Sequence, residues 1–477
     1  MCILKKIRFR LFLSRNIHHL YRGSLLEMPK ITEELIRFTH HYQFEDLPDQ
    51  VVHEARRSLM NYFAVCVASY QDPTIAKAFG ILRKFSAGPQ ASVIGFDEQL
   101  DILQASALNA MAANVFDFDD THIPTIIHPT APVAAPLLAL AQQNETTGKE
   151  FLLALILGME FECRIGNAIS PFHYSKGWHI TSTCGVLGSA IASAKLMQLN
   201  QEQMMWAIGN AATQACGLVE NLGTMSKSMS VGNAAKNGLL SAICAKEGFD
   251  GPQEPLEGAR GFLYVFGNQA QENLITDQLG AHWEILNNTY KPYPCGVVLN
   301  PVIEACLKVY EKEASTPDFV SSIKSIRILG NPLLKQRTDR PTIQTGRQSQ
   351  VSGQHAVAVA LHFGKAGLKE FSDEIVSNKT IQEFYSKISF VDDSNIAVDG
   401  VKIQFTCQDR VFEITIDHAR GSVDRPLSDL DLEIKLRDQI KFHQLTINTD
   451  KFIDLIWSIE KHQHIGELFN HLKFNQS

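Results

Sequence analysis

No apolar run in the sequence reaches the roughly 18 residues that a membrane-spanning helix needs. Its nine cysteines are odd in number, widely spaced and free of any Cys-x-x-Cys pair. Structural zinc and iron–sulfur sites need clustered thiolates, so we expect neither and interpret the cysteines as buried, unpaired thiols of a reducing compartment. The formal net charge of -7 argues against nucleic acid as the main partner. We therefore expect neither a membrane nor a nucleic-acid partner.

The signatures of several large enzyme classes are also missing. The sequence has no P-loop, no dinucleotide-binding glycine motif, no G-x-S-x-G elbow and no H-E-x-x-H helix. Any chemistry must therefore come from other polar segments.

Residues 1–27 form a basic extension. They carry six lysines and arginines and no acidic residue before Glu27. Three interpretations stay open: a start site assigned too early, with the true one at Met28, an Arg-rich targeting segment, or a basic surface helix. We expect a cytoplasmic protein, or a mitochondrial one if the extension is a targeting segment.

From residue 28 to residue 280 the sequence predicts a helical domain, because apolar residues recur at helical spacing. Several segments are rich in alanine and glycine, for example 185–194. Each glycine destabilises an isolated helix by about 1 kcal/mol, so such helices make sense only in a tightly packed bundle. Rossmann and TIM-barrel folds are disfavoured, because strands and helices do not alternate. The predicted helices include 104–115, 132–142, 149–170, 184–197, 201–219 and 231–247.

The pattern changes after about residue 281, and we place a smaller α+β domain at 281–420. Helical candidates at 301–312 and 353–362 lie between stretches that alternate apolar and polar residues. Such stretches are typical of a half-buried antiparallel sheet. The predicted strands are 322–329, 401–406 and 411–416.

Helix returns at 421–477, and we expect this tail to pack back on the first domain. The predicted fold class is therefore mainly α. It consists of a large all-helical domain built from N- and C-terminal segments, plus a smaller α+β domain.

Three carboxylates and two imidazoles lie within residues 117–128, in a region otherwise dominated by alanine and leucine. One interpretation is general acid/base catalysis by His128, with Asp117 orienting its ring. The other is a solvated turn followed by a helix cap. This segment alone favours neither.

Three further polar segments each carry one candidate residue. His179 precedes a glycine-rich helix, Lys227 lies just before another helix, and Lys291 sits between the two domains near two prolines. Helix N-termini carry a partial positive charge, and clefts between domains are favoured ligand sites. The structural alternatives are a hydrogen-bonded histidine, an exposed lysine and a stiff linker. A fourth segment, 344–355, is a mobile lid loop, a substrate-binding edge or, more simply, an exposed loop.

Taken together, these segments resemble the MmgE/PrpD family, which includes 2-methylcitrate dehydratases, cis-aconitate decarboxylases and some epimerases. The resemblance extends over nearly the whole chain from about Met28. Its carriers are DFDDTH and HPTAPV within 117–133, GWHITSTCGVLGSAIASAK at 177–195, TQACGL at 213–218, SKSMSVGNAAKNGLL at 226–240 and YKPYPCG at 290–296.

The resemblance implies that the α+β domain is a lid, that the protein is a homodimer, and that the active site lies between the domains. It also implies that no metal and no cofactor is used. The residues implied by motif are Asp117, His128, His179 and Lys227 for catalysis and Thr121, Lys227 and Lys291 for substrate binding.

The predicted function is that of a metal-independent lyase, which moves protons next to a carboxylate of a small di- or tricarboxylic acid. The substrate stays open, because Lys291 is followed by Cys295 and Gly296 where animal-type decarboxylases carry Ala-His. The segment between Thr121 and His128 also differs from the tryptophan-containing form of the dehydratases. The alternatives are an epimerase or isomerase of a dicarboxylate, a catalytically silent carboxylate-binding protein, and a structural helical scaffold.

Overall fold

The computed structural model describes residues 30–472, except for residues 314 and 317. The predicted basic extension, 1–27, lies outside the described residues. The secondary structure is mainly α-helical, which confirms the predicted fold class at that level. Within the described residues, none of the helices combines the length and apolar character that a membrane crossing requires.

The α-helices of the described chain are Ile31–His41, Asp49–Ala68, Pro73–Leu82, Ile102–Asn114, Thr130–Ala141, Gly148–Ile169, Phe172–Ser175, Ile180–Leu196, Gln201–Ala212, Met225–Lys246, Phe262–Phe266, Asn273–Thr276, Asn300–Glu313, Phe319–Ser322, Pro332–Thr338, Gly346–Ser349, Gly353–Phe363, Asp373–Val376, Lys379–Phe384, Asp429–Phe442 and Thr449–Trp457. Short 3-10 helices are Phe44–Asp46, Arg83–Phe85, Val219–Asn221, Glu284–Asn287, Val297–Leu299, Tyr385–Lys387, Ile459–Lys461 and Ile465–His471. The predicted helices are present, but 231–247 begins six residues earlier, at Met225, and 201–219 ends at Ala212.

The glycine-rich helices pack at very short distance, as predicted. A Cβ atom at Gly188 would lie 2.9 Å from the carbonyl oxygen of Gly158 in the neighbouring helix. A Cβ at Gly238 would lie 2.4 Å from the side chain of Ser189. Glycine is therefore required where these helices cross, because any larger residue would push them apart.

Apolar side chains form separate cores in different parts of the chain. One core joins residues of the helix Asp49–Ala68 to residues of the C-terminal helices Asp429–Phe442 and Thr449–Trp457. Another core is built entirely from residues 295–419. The second half of the chain thus contributes one packing unit of its own, while the C-terminal end packs against the N-terminal part.

The largest sheet lies in the 295–419 unit and has the strand order β6-β5-β7-β8. β5 (Ile323–Gly330), β7 (Val401–Cys407) and β8 (Val411–Ile416) correspond to the predicted strands and pair antiparallel. β6 (Ile388–Asp392) pairs parallel with β5 and was not predicted. The three predicted strands therefore pair antiparallel as expected. The parallel fourth strand was missed, because its five residues are too few to show a clear alternation.

Two strand pairs occur in or against the part predicted to be wholly helical. β1 (Ala91–Ser92) pairs with β2 (Gln99–Leu100), and β3 (Asp120–His122) pairs with β4 (Asn288–Tyr290). The expectation of an all-helical domain is corrected in this respect. The second pair matters for function, because it places residue 120 beside residue 290.

The segment 344–355 is not an exposed loop, so that interpretation is wrong. It forms the short helix Gly346–Ser349 and the start of Gly353–Phe363, and most of its polar side chains from residue 349 onward are buried. Thr345 and Ser352 accept hydrogen bonds from backbone N–H groups in the first turns of these helices. The polar residues that suggested a loop are therefore helix caps and buried hydrogen-bonding groups.

The described cysteines form no disulfide, in line with the predicted unpaired thiols. The prediction that the thiols are buried is wrong for Cys216, which is exposed, and for Cys244, which is half-buried. The buried thiols are Cys66, Cys163, Cys184, Cys295, Cys306 and Cys407.

Candidate active site

Three structural features bring the candidate residues together. The β3–β4 pair places the turn before Asp120 next to Lys291. His179 immediately precedes the helix Ile180–Leu196, and Lys227 lies in the first turn of Met225–Lys246. These two helices pack along each other, so the residues at their N-terminal ends meet near the strand pair.

One small cavity is lined by five of the predicted residues: Asp117, His128, His179, Lys227 and Lys291. Its volume is about 50 Å³. Room on that scale suits a few water molecules. Residues of the 295–419 unit, among them Gly296 and Arg337, close the other side. The cavity therefore lies between the two packing units.

Asp117 holds the two lysines of the cavity. Its Oδ1 accepts hydrogen bonds from Lys227 Nζ at 2.7 Å and from Lys291 Nζ at 3.0 Å. Lys291 Nζ also donates to the Asp117 carbonyl oxygen at 3.0 Å. The backbone of Asp117 has a φ of 52°, a left-handed conformation that aspartate tolerates better than most residues. This turn aims both its carbonyl and its carboxylate at Lys291.

The electrostatics of this cluster favour the charged forms. Burial alone would raise the pKa of Asp117, but the ammonium groups of Lys227 and Lys291 outweigh burial and hold it well below its usual range. Burial would likewise lower the pKa of Lys291, and the carboxylates of Asp117 and Asp119 reverse this and raise it. The site therefore contains fixed ammonium and carboxylate charges in a dry environment, where each interaction is stronger than in water.

The ring of His128 is held by a carbonyl group. Nδ1 lies 2.7 Å from the carbonyl oxygen of Asp120, which can only accept, so Nδ1 carries the hydrogen. Nε2 consequently has a free lone pair in the neutral ring. It lies 3.8 Å from Asp117 Oδ1 and makes no hydrogen bond within the described part of the protein. The expectation that Asp117 orients this ring is not met, since the Asp120 carbonyl does so.

The same argument assigns the tautomer of His179. Its Nδ1 lies 3.1 Å from Ser230 Oγ and 3.4 Å from Ser182 Oγ. Both hydroxyls donate to backbone carbonyls, Ser230 to Lys227 and Ser182 to His179 itself. Because each hydroxyl has one hydrogen, Nδ1 of His179 must be the donor, and its Nε2 also keeps a lone pair.

Both histidines are neutral at physiological pH. Burial lowers the pKa of His128 to about 4 and that of His179 to about 3. For His179 the nearby charge of Lys227 adds to the effect of burial. Two imidazoles with unprotonated Nε2 atoms therefore line the same cavity.

Gly217 secures the position of His179. Its carbonyl oxygen accepts a hydrogen bond from the His179 backbone N–H at 3.1 Å. Its φ of 132° is one that side chains rarely allow, and an added Cβ would lie 2.0 Å from Ser182 Oγ and 3.3 Å from His179 Cβ. The TQACGL segment thus carries a glycine at residue 217 because the backbone must pass directly behind the histidine.

Thr121 lies behind the cavity instead of in its wall. Its side chain is fully buried, and its Oγ1 lies 3.3 Å from His128 Nδ1. Its backbone carbonyl accepts from Thr289 Oγ1 in the β3–β4 pair. Thr121 can therefore reach a ligand only through the position of His128.

Four residues that complete the site had no role in the prediction from sequence. Asp119 Oδ1 lies 3.5 Å from His128 Nδ1 and 3.7 Å from Lys291 Nζ, so it balances the charge of Lys291 from behind. Lys435 is buried and donates to the carbonyl groups of Phe118 and Lys291. Tyr174 and Arg337 line the cavity itself. Asp119 stood in the predicted acidic segment, whereas the sequence around the other three offered no signal.

A divalent metal ion fits this cluster poorly. Asp117, Asp119 and His128 each have a potential ligand atom within 4.8 Å of the others. Two ammonium groups already contact Asp117 Oδ1, however, and the unprotonated ring nitrogen of His128, Nε2, lies 3.8 Å from that same oxygen. A metal would have to displace Lys291 and sit beside Lys227 against charge repulsion.

This geometry defines a class of protein first: a mainly helical protein whose closed cavity combines fixed cations with two neutral imidazoles. Comparison with family models then identifies the group. The MmgE/PrpD N-terminal domain matches residues 33–274, and the MmgE/PrpD C-terminal domain matches residues 293–460. The chain belongs to the MmgE/PrpD family, which confirms the resemblance found in its motifs.

Individual relatives cover most of the chain. A cis-aconitate decarboxylase-like protein oryM of Aspergillus oryzae is 26% identical over 78% of this chain and 81% of its own length. Cis-aconitate decarboxylase of Mus musculus is 25% identical over 86% of each chain. The 2-methylcitrate dehydratase of Salmonella typhi is 20% identical over 83% of this chain and 87% of its own. The enzyme class predicted here, lyase, is the class of these decarboxylases and dehydratases.

Proposed function

We propose that this protein is a metal-independent lyase that acts on a small di- or tricarboxylic acid. The observation that supports this best is the convergence of two lysines, two neutral histidines and Asp117 on one closed cavity. The names of the relatives point in the same direction, because they are a decarboxylase and a dehydratase.

Lys227 and Lys291 would bind the carboxylate next to the reacting carbon. Removing a proton from such a carbon, or losing carbon dioxide from it, builds negative charge beside the carboxylate. Cations that are fixed in place before the reaction stabilise that charge without having to reorganise. Asp117 keeps both ammonium groups aimed at the same point until the substrate arrives.

His128 and His179 would transfer the protons. Each is neutral and presents an unprotonated Nε2, so each can take a proton from carbon or, once protonated, return one. General acid–base help of this kind contributes typically about 10²–10⁴-fold to the rate. Thr121 would act through His128, because it contacts the ring and not the cavity.

Substrate entry would require the two sides of the cavity to separate, because about 50 Å³ is too little for a six-carbon acid. We therefore propose that residues 281–420 act as a lid on a helical domain formed by residues 28–280 and 421–477. Arg347 of the lid forms an ion pair with Asp72 of the helical part at 3.0 Å, which would hold the closed form. The homodimer stays a prediction.

An epimerase or isomerase of a dicarboxylate is the second candidate. Such an enzyme needs two acid/base groups. His128 and His179 are two candidates, because both carry their hydrogen on Nδ1 and leave Nε2 free to take a proton. A dehydratase needs one base and one proton donor, whereas a decarboxylase needs only a proton donor for the carbon that carbon dioxide leaves. The Lys227 ammonium can be the proton donor in either case. The products of the reaction distinguish these cases.

The test is to incubate the full chain separately with cis-aconitate and 2-methylcitrate and to identify the products by NMR. Dialysis against EDTA beforehand should leave turnover unchanged. A His462→Asn variant serves as a control, because it alters a histidine remote from the cavity. If the protein binds polycarboxylates but converts none of them, a catalytically silent carboxylate-binding protein is favoured. If it binds none of them, only the structural helical scaffold is left.

A further inference from the structure

Arg337 lines the same cavity as the two histidines. It lies in the helix Pro332–Thr338 of the 295–419 unit and is half-buried. Its guanidinium carbon lies over the ring of Tyr174, 4.5 Å from the ring centre, and both side chains line the cavity. Tyr174 belongs to the short helix Phe172–Ser175 of the helical part, so this contact crosses the cleft.

The guanidinium of Arg337 has no carboxylate partner among residues 30–472 other than 314 and 317. The other inward-facing arginines differ: Arg57 pairs with Asp429, Arg164 with Glu160, and Arg347 with Asp72. A guanidinium stacked on an aromatic face keeps the N–H groups at its edge, and these suit a planar carboxylate. Arg337 therefore has unused donors at the cavity.

The charges around the cavity give Arg337 a particular importance. Within the lining, the Asp117 carboxylate faces the two ammonium groups of Lys227 and Lys291, and both histidines are neutral. Asp119 lies behind the lining and offsets the remaining positive charge of the lysine pair. Arg337 therefore adds a further positive charge from the 295–419 unit, where an anionic substrate can use it.

The wall beside this arginine has a small gap at Gly296. A Cβ atom added there would find nothing closer than Asp117 Oδ2 at 3.7 Å and the Gln350 carbonyl oxygen at 3.9 Å. These are ordinary contact distances, so the glycine leaves space for about one methyl group next to Asp117. A substrate chain that extends from the lysines toward the lid would pass through this gap once the lid has opened.

We propose that Arg337, held on the ring of Tyr174, determines specificity by binding a substrate carboxylate that is remote from the reacting carbon. This inference deepens the proposed lyase function and rests on it. It implies that an acid with a third carboxylate binds better than one that has only the pair near the lysines. The lid then contributes to substrate selection as well as to closure.

The test compares two non-reacting probes, tricarballylate with three carboxylates and glutarate with two, by calorimetry on the full chain. Losing one charge-assisted contact should weaken tricarballylate binding to Arg337→Gln about 10- to 100-fold. Glutarate binding should change by less than about 3-fold, because that acid makes the lysine contacts only. The affinity of Arg337→Lys for tricarballylate should lie between those of the wild type and Arg337→Gln, since lysine keeps the charge but lacks the planar guanidinium.

Lys335→Gln is the matched control, because it removes an exposed charge from the same helix. It should bind both probes as the wild type does. Equal weakening of both probes in Arg337→Gln, or unchanged binding of tricarballylate, would overturn the specificity role. If wild-type protein binds neither probe, the proposed function itself fails and this inference with it. On any acid that the wild type converts, Arg337→Gln should raise KM and keep most of kcat.

Discussion

His128→Asn separates the catalytic role of this histidine from its structural role. Asparagine Nδ2 can take the place of ring Nδ1 and donate to the Asp120 carbonyl oxygen, now 2.7 Å away. No atom of asparagine replaces Nε2. If Nε2 is the base, turnover should fall about 10²–10⁴-fold. That loss corresponds to a barrier higher by about 3–5 kcal/mol, at 1.36 kcal/mol for each factor of ten.

The same substitution should leave the fold nearly unchanged. The variant keeps the hydrogen bond to the buried carbonyl, whereas His128→Ala removes it and should lose about 1–3 kcal/mol of the free energy of unfolding. The assay measures NMR turnover and urea unfolding on wild type and both variants. A folded His128→Asn protein with wild-type turnover would refute the assignment of the base.

Stability should fall as the pH is lowered. Burial holds the pKa of His128 at about 4 and that of His179 at about 3, against 6.5 unfolded, so below pH 6.5 the unfolded chain binds more protons. The free energy of unfolding should drop by up to about 1.4 kcal/mol per pH unit for each histidine. Urea unfolding at pH 7 and pH 5 measures this change. If the free energy of unfolding fell with pH as steeply in His128→Asn as in the wild type, the expectation for His128 would be contradicted. Lys435→Met removes the donor of three buried acceptors, which are Asn61 Oδ1 and the carbonyl oxygens of Phe118 and Lys291. Calorimetry should therefore show a loss of about 3 kcal/mol or more, and an unchanged melting temperature would count against the contacts. Arg347→Ala breaks the pair with Asp72, so hydrogen exchange in the helix that carries Arg347 should speed up, which unaltered exchange would disprove.

The sequence allowed much of the site to be predicted, because its residues lie in motifs at helix starts and at the junction between the two parts of the chain. Asp117, His128, His179, Lys227 and Lys291 all reach one cavity, although 174 positions separate the first from the last. The helices were equally accessible, since small residues recur where their axes cross. The first residues of helices were harder to predict. The stretch before Val231, for example, is polar and shows no helical periodicity.

The rest depends on contacts between distant segments. Arg337 lies in a short helix of ordinary surface composition, and only the tertiary fold turns it toward Tyr174. Thr121 was expected in the cavity because it belongs to the family motif, but its strand pairing with Thr289 faces it inward. The polar segment 344–355 was mistaken for a loop because capping side chains and solvent-exposed ones look alike in a sequence.

Lys435 ties the cavity to the far end of the chain. It holds the carbonyl oxygen of Lys291 across 144 positions of sequence. At about 5–20 residues per second, the ribosome needs roughly 7 to 30 seconds to travel that distance. During that interval the growing polypeptide already contains every acid, base and ammonium group of the cavity. It still lacks Lys435, which holds the backbone of Lys291 in place. Competence to react should therefore arrive late in synthesis, with the helix Asp429–Phe442, and a stalled or prematurely ended product should be inert however well its earlier helices have folded.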